Sequence, residues 1–435
     1  MEVTVIGAGL AGSEAALQLS KQGIKVKLYE MRPNKSTGVH VSGNYAEFVC
    51  SNSLGAADCS NASGLLKKEM KILGGELINL AFEHSVPAGG ALAIDRRAFS
   101  EAVTKKIDND ENITVIKEEI TEIPDGVVIV ASGPLTSKLL SDKIKEFTKN
   151  EHLHFFDAIA PIIDVESINF DKAFWASRYD KGEASYINCP MNKEEYERFY
   201  NILINAPKIE LKEFEKGAKF FESCLPIEVL ASRGVDTLRF GPMKPVGLVD
   251  KRTGEKSYAV VQLRQDNAAK TLFNLVGFQT NLKWGAQKEL LQSIPGLEDA
   301  NIVRYGVMHR NTFINSPKLL NPTLETKVRK GLFFAGQITG TEGYTESIAS
   351  GLLAGINAAR LVLGKDLIEL PEETMLGALT HYITNSEHTK FQPINSNWGI
   401  VPPVELPKKE RKNKKLKAEL ISNRAIQKLN HMNCE

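Results

Sequence analysis

The stretch Glu2-Val3-Thr4-Val5-Ile6-Gly7-Ala8-Gly9-Leu10-Ala11-Gly12 decides the fold. A short apolar strand runs into Gly7-x-Gly9-x-x-Gly12, and a helical pattern follows over Ser13 to Gln22. Gly23 then stands where a helix end wants a left-handed residue. A second strand, Val26 to Glu30, completes a βαβ crossover, and such a crossover implies parallel strands. In this setting the glycine pattern reads as a dinucleotide turn spanning Gly7, Ala8, Gly9 and Gly12. Gly7 permits the tight turn, Gly9 lets a pyrophosphate approach the backbone, and Gly12 lets the helix lie close on the strand. Glu30, at the end of the second strand, is placed to accept hydrogen bonds from ribose hydroxyls, which favours a free 2′-hydroxyl over a 2′-phosphate.

Outward from this unit, Met31 to Gly64 is polar and without clear periodicity, and so long an irregular stretch is more often functional than idle. Helical pattern returns at Leu65 to Leu73, and Asp95 is a good N-cap for a helix over Arg96 to Ile107. Strands follow at Ile113 to Lys117 and Gly126 to Ala131, the latter ending in Ser132-Gly133-Pro134, a second crevice loop. Near the C-terminus, Gly331 to Ala335 is another strand entering a glycine-rich turn, Gly336-Gln337-Ile338-Thr339-Gly340-Thr341-Glu342-Gly343-Tyr344, before a small-residue helix over Ser347 to Leu361. Two such turns suit a flavin held at both ends, the later helix N-terminus offering backbone donors and positive dipole to the ring or phosphates. FAD is therefore expected over NAD, with Gly7, Ala8, Gly9, Gly12 and Glu30 at one end and Gly336, Gln337, Thr341, Glu342 and Gly343 at the other.

The fold class is α/β: a Rossmann-like FAD-binding domain with a parallel central sheet, plus a smaller α+β insertion domain. Aromatic-rich runs and weaker alternation mark the insertion, dividing the chain into 1–163 (FAD-binding domain, first part), 164–295 (insertion), 296–407 (FAD-binding domain, second part) and 408–435 (basic tail). Lys408 to Lys417 holds seven Lys or Arg against one Glu, and reads equally as a solvated terminus or as a grip on a polyanion. Across all 435 residues, 54 Lys plus Arg balance 53 Asp plus Glu, so global charge excludes nothing about nucleic acid. Five cysteines, with no CxxC pair and no His at ligand spacing, argue against a disulfide scaffold and a metal site. No leader segment or membrane-length apolar run is apparent, so the expected setting is a reducing cytoplasm with reduced thiols.

Several stretches carry a resemblance to a known family. They include Gly7 to Glu14, Tyr29-Glu30-Met31-Arg32-Pro33, Cys50-Ser51-Asn52-Ser53-Leu54 and Pro87 to Ala93. Further along come Cys224-Leu225-Pro226-Ile227-Glu228, Phe240 to Leu248, Gly336 to Tyr344 and Phe391-Gln392-Pro393. In order and spacing, over nearly the whole chain, these resemble the folate- and FAD-dependent tRNA (uracil-5-)-methyltransferases. The resemblance implies that a methylene group from methylenetetrahydrofolate passes through the flavin to carbon five of a uridine in RNA, the T-loop uridine of tRNA. Flavin reduced by NAD(P)H supplies the hydride that completes the methyl. Carbon five is a poor nucleophile until a thiolate adds at carbon six, which explains why such chemistry wants cysteines.

By carry-over, Cys50 and Cys224 match the family's two active-site cysteines, with Cys224 the better match for the uracil nucleophile; Cys59, Cys189 and Cys434 match no motif. His309 resembles the residue lying against the far face of the folate pterin, with Tyr344 nearby. Arg96 and Arg97 suit folate or phosphate contact and an exposed helix start equally. The chain departs from the family at Gly55-Ala56-Ala57, where an Arg is usual, which leaves ribosomal RNA as an alternative target for the same chemistry. Two other classes also fit a flavin-bearing RNA protein: a wobble-uridine-type tRNA-modifying flavoprotein, and a non-catalytic RNA-binding flavoprotein.

Overall fold

Five parallel strands form the central sheet, in the order Leu332–Phe334, Val127–Val130, Glu2–Ile6, Lys25–Tyr29 and Ile113–Ile116. The architecture is seen in a computed structural model that describes residues 2–149, 153–158, 160–180, 182–209, 225–254, 256–387, 391–406, 410 and 413–432. Val3, Val5, Val26, Leu28 and Val128 to Val130 are all buried, as expected of a parallel sheet covered on both faces. The sheet is the α/β core that the opening βαβ unit predicts.

The first helix spans Leu10–Lys21, with Gly9 as its N-cap, and so begins at Leu10 instead of Ser13. The hydroxyl of Ser13 does not cap it but donates to the Ala8 carbonyl inside the first turn, 3.1 Å away. The small-residue helix, Tyr344–Val362, packs on this first helix so closely that a Cβ on Gly351 would lie 2.2 Å from the Ala11 carbonyl oxygen. That contact explains the run of small residues, and it points the N-termini of both helices into one cleft. Asp95 caps the helix Arg96–Asp108 as its sequence position predicts, its carboxylate accepting from the Arg97 and Ala98 amides at 3.0 Å each.

A second sheet carries six strands in the order Phe174–Ala176, Tyr186–Met191, Ala259–Gln265, Leu272–Leu275, Ile162–Asp164 and Ile302–Arg304. With the helices Lys193–Asn205 and Trp284–Gln292 it encloses its own apolar core, drawn from residues between Ile163 and Ala300. The main core draws on residues Val3 to Ile144 and again on Phe313 to Leu429. The C-terminal helix Lys414–Met432 buries Ala418, Ile421, Ala425 and Leu429, three of them within that main core.

Two short sheets connect these bodies. Strand Ser53–Ala56 pairs with Ala91–Ile94, which also pairs with Ser85–Val86, and Leu153–Ala158 pairs antiparallel with Met308–Phe313. Among the described residues no helix is long and apolar enough to cross a membrane, and no group of three or more His, Cys, Asp or Glu could hold a metal ion.

Candidate active site

A cleft with about 980 Å³ of space, part of it open solvent, lies at the carboxyl ends of the parallel strands. Its wall includes Gly7, Gly9, Glu30, Arg32, His40, Ser132 to Ser137, Gly336, Gln337, Tyr344 and Ser347. This is where an open α/β sheet places its ligand. Both glycine-rich turns reach it.

At the first turn Gly7 adopts φ +97° and its N–H donates to the Tyr29 carbonyl at 2.8 Å. A Cβ on Gly12 would meet the Gly7 carbonyl oxygen at 1.8 Å, so the helix can sit this near the strand only without a side chain. A Cβ on Gly9 would meet nothing within 4 Å, and the residue is the N-cap of the first helix on the cleft wall. The backbone is thus exposed at the position where phosphate oxygens would accept from helix N–H groups.

Glu30 is buried, and its carboxylate accepts from the Ala8 amide at 3.0 Å, the Arg32 amide at 2.9 Å and the Arg32 guanidinium at 2.9 Å. Burial pushes its pKa upward, but the Arg32 charge and the two amides overcome this and hold it below the usual carboxylate value. Arg32 also reaches Glu47 at 3.4 Å. Beside them His40 meets the Thr37 hydroxyl at 2.6 Å, and burial together with the Arg32 charge drives its pKa down to about 4, so its ring is neutral at pH 7. Arg32 sits two residues beyond Glu30 in the quoted Tyr29 to Pro33 stretch, yet spacing alone gave no reason to assign it. His40 and Glu47, in the irregular segment, had no pattern that marked them.

At the second turn Gly336 donates its N–H to the Ser350 hydroxyl at 2.8 Å, and Gln337 donates to the Glu342 carboxylate at 2.6 Å. Thr341 and Glu342 are buried, the Thr341 hydroxyl donating to the Gly336 carbonyl at 3.0 Å. Gly343 is the N-cap of the second helix. Gly7, Gly9, Glu30, Gly336, Gln337 and Tyr344 therefore form the wall, while Ala8, Gly12, Thr341, Glu342 and Gly343 stand behind it and shape the turns. An open phosphate cradle, an acidic group at the strand end and two helix N-termini around one cleft fit FAD.

Cys50 is brought to the same place. It is half-buried, its N–H donates to the Tyr344 hydroxyl at 2.6 Å, and the Phe48 ring lies 4.3 Å from the Tyr344 ring. Asn52, two residues on, is fully buried, and among the described residues its side chain makes four hydrogen bonds. Its Nδ2 donates to the Ile94 carbonyl at 2.9 Å and the Gln265 carbonyl at 2.8 Å. Its Oδ1 accepts from Arg264 Nε at 3.0 Å and Asn274 Nδ2 at 3.1 Å. The cysteine loop is thereby fastened to the second sheet. Arg96 pairs with Asp266 at 2.7 Å across the same junction and donates to the Phe48 carbonyl at 3.3 Å, whereas Arg97 is exposed and pairs with Glu101. Of the two arginines only Arg96 faces the site.

Cys224 lies outside the described residues; the chain resumes at Leu225, and Glu228 is buried, accepting from the Asn281 amide at 2.7 Å and the Thr280 hydroxyl at 2.8 Å. Cys434 lies outside them as well, Cys189 is buried in the second core, and Cys59 is half-buried. The backbone of His309 belongs to strand Met308–Phe313, and its side chain lies outside what is described. That strand is docked between both crevice loops: the Thr312 amide donates to the Pro134 carbonyl at 3.0 Å and the Ile314 amide to the Ile338 carbonyl at 2.8 Å. Within it the Asn311 amide is fully buried, and among the described residues neither its oxygen nor its nitrogen has a hydrogen-bond partner.

Fold and cleft together define an FAD-type flavoprotein of the α/β class. Residues 2–366 match the family model described as "Glucose inhibited division protein A". The chain is 60% identical over 427 residues to the methylenetetrahydrofolate--tRNA-(uracil-5-)-methyltransferase TrmFO of Anoxybacillus flavithermus, covering 98% of each chain. It is 61% identical over 424 residues to the protein of the same name from Brevibacillus brevis, covering 98% of this chain and 96% of that one. Among solved structures, GidA of Aquifex aeolicus shares the fold at a TM-score of 0.69 and 19% identity, over 100% of this chain and 78% of that one. The chain belongs to the glucose-inhibited division protein A family, on the branch of the folate- and FAD-dependent tRNA (uracil-5-)-methyltransferases.

Proposed function

We propose that this enzyme methylates carbon five of the T-loop uridine in tRNA, with methylenetetrahydrofolate as carbon donor, FAD in the cleft, and NAD(P)H as reductant. The carrying observation is that the Cys50 loop is hydrogen-bonded to Tyr344, at the N-terminus of the second cleft helix. A thiol loop so placed on an FAD cleft is what uracil methylation through a flavin requires, and the relatives 60% and 61% identical to this chain bear the name of that activity.

When bound, the flavin carries the one-carbon unit and the hydride. Gly9 and the N-terminus of the first helix hold its phosphates, and Glu30, fixed by Arg32, takes its ribose. The N-terminus of the second helix, with Gln337 and Tyr344, receives the other end. Cys50 and Cys224 share the sulfur chemistry, Cys224 adding to carbon six of uracil to make carbon five nucleophilic, and His309 with Tyr344 takes the pterin. The reading places the enzyme in the cytoplasm with its RNA.

The test is an omission assay with purified FAD-loaded protein and unmodified tRNA transcript. Formation of 5-methyluridine is expected only when methylenetetrahydrofolate and NAD(P)H are both supplied. A complete mixture that yields no 5-methyluridine would sink the proposal.

A further inference from the structure

The second sheet has two unlike faces. Ile187, Cys189, Val261 and Leu263 turn into its own core. The residues between them turn the other way, and the register sets Tyr186 beside Arg264 and Asn188 beside Gln262. Gln262 Nε2 donates to Asn188 Oδ1 at 2.9 Å, and Gln262 Oε1 accepts from Arg178 Nη2 at 2.8 Å. Arg178 and Arg264 therefore share one polar face, with Gln262 two residues, or about 7 Å, before Arg264 along the strand. At one end of this face Arg178 Nη1 donates to the carbonyls of Lys244, at 3.0 Å, and Val246, within the Phe240 to Leu248 stretch that the flavin cleft does not use. At the other end Arg264 Nε donates to Asn52 Oδ1 at 3.0 Å, and the Tyr186 hydroxyl donates to the Ala88 carbonyl at 3.1 Å in the Pro87 to Ala93 stretch. Asn52 lies two residues past Cys50, so the face runs up to the cysteine loop.

Among the described residues neither guanidinium pairs with a carboxylate, and the two terminal nitrogens of Arg264 make no hydrogen bond. Asp266 is engaged by Arg96 and Asn274, and Asp180 pairs with Lys251 at 3.1 Å. Both arginines are half-buried, which lowers their pKa, yet an arginine keeps its charge at neutral pH. Two partly desolvated cations on one face call for an anion. Beside Arg178 the Tyr179 ring is 58% exposed. An open ring next to a cation suits unpaired nucleic acid, with a base on the ring and a phosphate on the guanidinium, whereas a small carboxylate would use the charge alone. We infer that this face, from Arg178 to Arg264, is the track on which the sugar-phosphate backbone of the RNA substrate lies as its uridine enters the cysteine loop. The inference rests on the RNA-methylating reading above and names the surface that takes the RNA.

Arginine footprinting tests this on the wild-type, FAD-loaded protein. Phenylglyoxal modification of the Arg178 and Arg264 peptides is followed by mass spectrometry alone, with saturating unmodified tRNA transcript, and with methylenetetrahydrofolate. Both arginines are expected to react in the free enzyme and to be protected several-fold by tRNA but not by folate. No reaction in the free enzyme, equal reaction with and without tRNA, or protection by folate alone overturns the inference. Salt-dependent tRNA binding gives a second readout on variants that keep the bound-flavin absorbance. In Arg264→Gln the slope of log Kd against log salt falls by about 0.7–0.9, the loss of one phosphate contact, and Arg264→Lys restores it. An unchanged slope in both Arg178→Gln and Arg264→Gln also overturns it. A protein whose two arginines are protected by tRNA but which makes no 5-methyluridine refutes the proposed function and leaves this inference standing. One that makes 5-methyluridine with both arginines unprotected refutes this inference alone.

Discussion

Gly9 and Gly12 stand three residues apart and answer to different demands. A methyl group on Gly12 would strike the Gly7 carbonyl oxygen at 1.8 Å, while one on Gly9 would meet no protein atom within 4 Å. Gly12→Ala is therefore expected to lower apoprotein stability by about 1–3 kcal/mol, the usual cost of overpacking, and to weaken FAD binding too. Gly9→Ala should leave the apoprotein melting temperature unchanged and weaken FAD alone. Thermal melts without flavin and a flavin fluorescence titration separate the two; equal apoprotein melting temperatures for both variants would contradict the account. The glycine spacing and Glu30 were legible in the sequence because that turn tolerates few other residues. The Arg32 clamp on Glu30 was not, since a charge two residues away looks like any exposed arginine until the pair is found buried.

Among the elements, the helix Met375–Thr384 has its first amides capped by a carboxylate from another helix: Glu69 accepts from Met375 at 2.7 Å and Leu376 at 2.9 Å. Burial raises the Glu69 pKa from 4.5 to about 7 despite those two donors. The folded protein then holds this proton more tightly than the unfolded chain does. Its stabilising contribution is complete below pH 4.5 and is lost as pH rises through about 7, a change on the order of 3 kcal/mol. Chemical denaturation at pH 5 and pH 8 should show wild type losing more stability than Glu69→Gln over that interval. Equal losses would refute the assignment. Asp95 could be read as a helix start because an N-cap is a local signal, and its helix begins at Arg96 as expected. The helices starting at Leu10 and Tyr344 begin three residues before their sequence-based starts, because Gly9 and Gly343 cap them without a side chain to announce it.

At the scale of the whole molecule, the central claim is that one cleft joins a flavin turn read in the first residues to a cysteine loop read by resemblance. The contacts that make the join link residues about 170 to 290 apart in sequence: Arg96 to Asp266, Asn52 to Arg264, and Cys50 to Tyr344. Neither periodicity nor motif spacing carries information about such pairs, so Asn52 and Arg264 emerge only from the folded chain. The most direct measurement supplies FAD-loaded enzyme, NAD(P)H and unmodified tRNA with methylenetetrahydrofolate carrying carbon-13 in its methylene, and weighs the nucleosides after digestion. The account predicts 5-methyluridine one mass unit heavier than normal, with the label in the methyl group. Unlabelled 5-methyluridine, or none at all, would contradict it.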